Sequence, residues 1–284
     1  MFKGLDRRTF RLDRCVSSIF LHREPERAGK GRKGLKKWRI NHLMLSIRTQ
    51  GGFCNRLRAI VCGVLWAEDL GLELDIYWPE EIGHMACGIA ELLDISTIPR
   101  LRKTYNKYLS HAHQVLNADD MRTVLQLPGG PNIQSYSIFH EEFSSRGLVV
   151  LQAIKVLPYL EAIANGQMTF TNAIGIHIRR TDHLNCIKAS PLPAFEAKVN
   201  ELLANDEKFF LATDEMQVKN RFKELYSTSL ITPIHTLGRM TKEQQQHGVI
   251  DWLLLQKCSK IVASRGSSFS ELAAMRAGIV LEVV

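Results

Sequence analysis

The sequence predicts an α/β protein of two lobes, each built on a parallel sheet, with a cleft between them. Three observations lead there. From His42 onward short apolar runs alternate with longer amphipathic ones, the pattern of strands joined by crossover helices. The chain has 284 residues, beyond the usual length of one domain and suited to two. Its 45% hydrophobic and 23% charged residues supply enough apolar side chains for a core at each sheet.

Each element follows from the same pattern. Residues 43–47 read as a buried strand, Gly51-Gly52 as a turn, and 55–70 as a helix on which Leu57, Ile60, Val61, Val64 and Leu65 share one face. Gly71 ends that helix and 72–78 supply a second strand. The segment 80–147 is broken by Pro99, Pro128, Pro131 and the pair Gly129-Gly130, so irregular structure and short elements are expected there. A helical stretch over 148–165, interrupted at Pro158, bridges to a more regular second half. There strands are predicted at 173–179, 208–213, 230–234, 260–264 and 279–283. Helices are predicted between them at 192–204, 217–226, 248–258 and 268–277. Residues 40–150 are expected to form the first lobe and 151–284 the second.

Residues 1–39 read as a basic tail. They hold 13 Lys and Arg against four acids, an excess of nine, whereas the whole chain carries +8, so the remaining 245 residues sum to a single negative charge. A basic surface typical of nucleic-acid binders is therefore not expected on the lobes, although the tail is suited to weak contact with an anionic membrane surface or RNA. Gly29, Gly31 and Gly34 match G-x-G-x-x-G, yet no strand precedes them and no amphipathic helix follows, so the match carries no nucleotide-binding meaning. No run of about 18 apolar residues is present for a membrane helix. The six cysteines lack any C-x-x-C pair and fall in apolar segments, which suits reduced thiols and a cytoplasmic location.

Three constellations fall where parallel sheets place ligands, just beyond the carboxyl ends of strands. Gly51-Gly52-Phe53-Cys54-Asn55-Arg56 would bring backbone N–H groups close to a ligand, or form a tight turn capped by Asn55. His177-Ile178-Arg179-Arg180-Thr181-Asp182 places two arginines at the end of an apolar strand. They are costly to bury unless a phosphate or the Asp182 carboxylate compensates them. Ala263 to Ser270, rich in hydroxyls around Gly266, would cradle an anion at a helix start or supply ordinary N-caps. Asp214 and Asp251 lie nearby in sequence. No Asp-x-Asp triplet is present to hold a divalent cation on a diphosphate, so no metal is expected.

In this order the motifs resemble the GT-B fucosyltransferase superfamily, which includes α1,2- and α1,6-fucosyltransferases and protein O-fucosyltransferases. The family's G-G-x-x-N-[QR] turn is similar to Gly51–Arg56, and its H-x-R-R-x-D motif to His177, Arg179, Arg180 and Asp182. Its strand-then-acid motif is similar to Leu211 to Asp214. Its closing D-x-x-L-L-x-x-C with a Ser-rich turn is similar to Asp251 to Cys258 followed by Ser267, Ser268, Phe269 and Ser270. The resemblance implies two Rossmann-like lobes and a metal-independent, inverting transfer of a sugar, most simply fucose from GDP-L-fucose, to a glycan or other hydroxyl acceptor. It implies that Arg179 binds the donor diphosphate, Arg180 orders the site, His177 and Asp251 contact the nucleoside, and Ser267 and Ser268 cap the phosphates. Gly51, Gly52, Asn55, Arg56, Asp214 and Phe269 complete the implied donor site, and Asp182 is the implied partner of the arginine pair or the base. Another nucleotide-sugar donor, or nucleotide or RNA binding without catalysis, are the alternatives.

Overall fold

The computed structural model describes residues 44–109, 145–167, 172–181, 184–233 and 235–284, with the backbone of two short strands at 113–114 and 132–135. The basic tail lies outside the described residues. The first sheet is built from β1 (Met44–Thr49), β2 (Glu73–Tyr77), β4 (Leu101–Tyr105), β5 (His113–Gln114) and β6 (Asn132–Ser135), in the order β4-β2-β1-β6-β5. All four pairings are parallel. The second sheet takes β8 (Ile174–Ile178), β9 (Phe209–Thr213), β10 (Leu230–Ile231), β11 (Lys260–Ala263) and β12 (Val280–Val283), in the order β10-β9-β8-β11-β12, again wholly parallel. A small antiparallel pair joins β3 (Leu93–Asp94) to β7 (Lys155–Val156).

Both orders reverse at a central strand. The chain runs outward from β1 to β2 and β4, crosses to the far edge at β5 and returns to β6 beside β1; in the second sheet it runs outward from β8 to β9 and β10 and resumes on the other side at β11. Open parallel sheets bind ligands at such reversal points, beyond the carboxyl ends of the strands. Gly51 follows β1, Arg179 follows β8 and Ser264 follows β11, so each of the three constellations stands at one.

Eight helices cover the sheets among the described residues: α1 (Phe53–Leu70), α2 (Ser145–Ala153), α3 (Pro158–Gln167), α4 (Leu184–Ala189), α5 (Leu192–Ala204), α6 (Met216–Tyr226), α7 (Lys242–Leu255) and α8 (Ser268–Ala277). Helix α1 is buried on nearly every side because the first sheet lies against one face and α2 and α8 against the other. Gly63 permits this approach, since a Cβ there would stand 3.2 Å from Leu74 Cδ1. Strand β8 is buried on both faces. Ile174, Ile176 and Ile178 join Phe195, Phe209, Phe222 and Tyr226 in one apolar cluster, leaving Gly175 and His177 to the opposite face. The larger cluster is continuous from Leu45 and Ile76 in the first sheet to Leu254, Ile261 and Ala273 in the second half.

The segment expected to be irregular contributes three strands of the first sheet. Strand β4 reads Leu-Arg-Lys-Thr-Tyr, too polar to signal a strand, and forms at the sheet edge, where only one neighbour and little burial are needed. The predicted 148–165 helix is two helices, α2 and α3, divided by β7 just before Pro158. Helix α7 starts six residues before its predicted beginning, because Thr241 Oγ1 accepts from Gln244 N at 3.2 Å and caps a polar first turn. Helix α4 was not foreseen in the six residues after the arginine motif.

Candidate functional site

Two helix N-termini face one cleft. The first belongs to α1: Gly51 adopts φ +71°, Gly52 occupies the N-cap, and no side chain caps the first turn. Arg56 holds this turn from behind. Its Nε donates to Gly51 O at 2.7 Å and its Nη1 to Pro79 O at 2.9 Å, with the guanidinium 4.8 Å from the Trp78 ring. It is wholly buried, burial lowers its pKa to about 10, and it does not line the cleft. The Arg56 expected at the donor is thus a brace for the glycine turn; one residue of helix separates Asn55 on the cleft side from an arginine on the far side.

The second N-terminus belongs to α8. Ser264 closes β11, with its N–H donating to His177 O at 3.0 Å and its Oγ accepting from Arg179 N at 3.1 Å, so the β8 and β11 ends are tied together. Arg265 N donates to Ser190 Oγ at 2.9 Å and Gly266 takes φ +68°, which turns the chain into α8. Ser267 is the N-cap, yet its Oγ makes no capping bond and is buried without a hydrogen-bond partner among the described residues. Both helix starts therefore offer backbone N–H groups and the positive ends of their dipoles to the space between them.

That space is a cleft of about 370 Å³. It is lined by Gly51, Gly52 and Asn55 from the first half and by His177, Arg179, Asp214, Asp251, Ser267, Ser268 and Phe269 from the second, ten of the thirteen residues that the sequence singled out. Four buried polar atoms of its lining residues have no hydrogen-bond partner among the described residues: His177 Nδ1, His235 Nδ1, Asp251 Oδ1 and Ser267 Oγ. Buried polar atoms are almost always satisfied, so four around one cavity mark a place built for a polar ligand.

His177 packs against Phe269, ring centres 5.0 Å apart, and burial lowers its pKa to about 4, with Arg179 and Arg239 acting in the same sense against Asp214. It is a neutral ring at neutral pH. Asp214 does more than line the cleft. Its Oδ1 accepts from Arg180 N at 2.7 Å and its Oδ2 from Thr181 Oγ1 at 2.7 Å, which fixes the loop that carries Arg179. Arg180 itself turns away from the cleft, donating Nη1 to Ile187 O at 3.3 Å at α4. Asp182 lies outside the described residues.

Of the third wall the sequence reading singled out only Asp251. Residues 235–239 and the cleft-facing side of α7 bring His235, Gly238, Arg239, Gln244 and His247 to the cleft. His235 Nε2 lies 3.2 Å from Asp251 Oδ2 and its ring stacks on His247 at 4.6 Å. The signal was present: Gln244, His247, Gly248 and Asp251 recur at i, i+3, i+4 and i+7, one helix face, and polar residues on the inward face of a helix otherwise rich in leucine point to a site. Gln245 bridges the halves, its Nε2 donating to His84 O at 3.3 Å and to Arg239 O at 3.0 Å.

No protein-family model matches the sequence, and no curated protein matches it. Solved structures do match the fold. NodZ α-1,6-fucosyltransferase soaked with GDP-fucose superposes with a TM-score of 0.59 at 14% identity, over 84% of this chain and 94% of that one. The fucosyltransferase NodZ from Bradyrhizobium gives 0.57 at 15% identity, over 81% and 92%. POFUT1 in complex with GDP gives 0.55 at 9% identity, over 86% and 98%. The chain has the two-sheet GT-B-like fold of these fucosyltransferases.

Proposed function

We propose that the protein is a glycosyltransferase that transfers fucose from GDP-L-fucose to a hydroxyl acceptor, with inversion at the sugar and without a metal ion. The observation that carries this reading is the convergence of Arg179, two uncapped helix N-termini and four unpartnered buried polar atoms on one cleft. The arrangement matches a nucleoside diphosphate, with a polar base at one end and two negative phosphates at the other. Structural neighbours obtained with GDP or GDP-fucose support the same choice.

The chemistry follows from the charges. As the sugar–phosphate bond lengthens, negative charge grows on the diphosphate, and groups already aimed at it favour the transition state over the bound substrate. Arg179 with its two-pronged guanidinium, and the α8 N-terminus behind Ser267 and Ser268, take that role here. Asp251 Oδ1 accepts hydrogen bonds from the base, for which guanine offers two adjacent N–H donors on one edge. Neutral His177 fills the apolar wall beside Phe269 without adding a charge.

The test is a panel of GDP, UDP and ADP read by thermal unfolding, then release of GDP from GDP-L-fucose in EDTA. A ligand at 100 times its Kd stabilises by about 2.7 kcal/mol, so GDP should raise Tm well above the other two, and Asp251→Ala should remove the preference. Equal shifts for all three nucleotides would sink the guanine reading. Turnover that requires added Mn²⁺ or Mg²⁺ would sink the metal-free one.

A further inference from the structure

On the first sheet, the face opposite α1 is aromatic and cationic at its carboxyl edge. Leu74 and Ile47 turn toward α1, where they flank Gly63, so the alternation of the strands sends Arg48 and Tyr77 to the other face. Tyr77 is opposite Tyr105 in the β2–β4 register, and their rings stack at 4.5 Å and 17°. The amines of Lys103 and Lys107 lie 5.0 and 5.3 Å from the Tyr105 ring centre. Beside them the Arg48 guanidinium sits 4.2 Å from the ring centre of Tyr108, which is 53% exposed, and Arg48 Nε is buried without a hydrogen-bond partner among the described residues. The Tyr108 hydroxyl donates to Glu81 at 2.7 Å. Glu81 begins the turn that ends at Met85 and carries exposed Ile82 and the cleft residue His84, so the surface adjoins the donor cleft.

None of these groups is needed to bind a nucleoside diphosphate, and the sheet would fold with ordinary polar residues at an edge. Exposed tyrosine faces present flat C–H-accepting surfaces of the kind on which sugar rings lie. Three cations stand on this face, Arg48, Lys103 and Lys107, while among the described residues the buried Arg56 lies 3.8 Å from Glu81 and Arg102 donates to Asp75 at 2.9 Å, so those two carboxylates have cations of their own. Positive charge left over beside aromatic faces matches a saccharide that bears carboxylate, sulfate or phosphate groups.

We propose that this surface receives the acceptor, and that the acceptor is an oligosaccharide carrying acidic groups. The inference rests on the reading of the cleft as a sugar-transfer site. The acidic groups meet Lys103, Lys107 and Arg48, a sugar ring lies against Tyr108, and the hydroxyl to be modified reaches the cleft past His84.

The experiment uses the full chain with GDP present and titrates a uronate-containing tetrasaccharide, the same tetrasaccharide with its carboxyls reduced to alcohols, and a short single-stranded RNA. The acidic saccharide should bind at least about tenfold tighter than its reduced form at low salt and lose that advantage at high salt. Lys103→Gln and Lys107→Gln are exposed and harmless to folding; each should weaken the acidic saccharide about threefold and leave the reduced one unchanged. Tyr108→Ala should weaken both saccharides, and Tyr108→Phe should restore them. GDP affinity should be the same in every variant, so a failure of the donor reading shows in GDP alone. Equal binding of the acidic and reduced saccharides, binding of neither while GDP binds, or RNA bound as well as the saccharide through the same lysines would each overturn the proposal.

Discussion

Arg179→Lys keeps the positive charge at the end of β8 but removes the planar fork which, on the proposed function, would grip two phosphate oxygens at once. Turnover should fall by about tenfold to a hundredfold, while the unfolding midpoint stays near that of the parent protein, since Arg179 is anchored by its backbone N–H to Ser264. Near-normal turnover would remove Arg179 from the phosphate. Its neighbour His177 gives a prediction with a sign. Burial takes its pKa from 6.5 to about 4, so as pH falls the unfolded chain takes up the proton first. The stabilising effect is complete above pH 6.5 and is lost as pH falls toward 4. Between pH 6.5 and 5 this amounts to about 2 kcal/mol at one pKa unit per 1.4 kcal/mol. His177→Phe, measured by urea unfolding at pH 7 and pH 5, should show a smaller drop than the parent; an equal drop would mean that other groups govern the acid limb.

The elements divide between those the sequence states outright and those that depend on contacts far along the chain. Strand β8 was legible because Ala173 to Ile178 is a short run apolar or small at every position but His177, the pattern of a strand buried on both faces, and α1 was legible from its apolar spacing. Strand β4 and the early start of α7 were not, because an edge strand needs no apolar signal and a Thr cap outweighs several polar residues. The same division holds in the site. Arginine at a strand end and serines at a helix start are visible as motifs, whereas the direction in which Arg56 and Arg180 turn depends on Trp78, Pro79 and Ile187, which a local reading cannot place. Gly175 shows how tightly the elements meet. Its φ is ordinary, but a Cβ would stand 2.9 Å from Leu255 Cδ2 and 3.2 Å from Cys258 Sγ, where α7 ends against the sheet. Gly175→Ala should therefore destabilise by about 1–3 kcal/mol through overpacking. Because Asp251 is one turn from Leu255 on the same helix, the substitution should also weaken GDP binding, and unchanged stability in urea would show that α7 can shift freely.

At the scale of the molecule the two sheets are joined below the cleft and not merely linked by the chain. The larger apolar cluster runs without a break from β1 to α8. Phe53, at the start of α1, meets Trp252 of α7 edge-on at 5.4 Å. Arg58 of α1 pairs with Glu271 in the first turn of α8 at 2.6 Å. Two lobes hinged on a thin waist would unfold in two steps; lobes that share a core should unfold in one. The prediction is a single transition in urea, with the same midpoint by circular dichroism and by the fluorescence of Trp78, buried in the first half, and Trp252, buried in the second. GDP should move the whole transition, including the signal of Trp78. Glu271→Gln should lower the midpoint without splitting it, since it leaves Arg58, 11% exposed, without its charge partner. Two separated midpoints in the parent protein would show that the halves are independent folding units, and the cleft would then be formed by docking of one on the other.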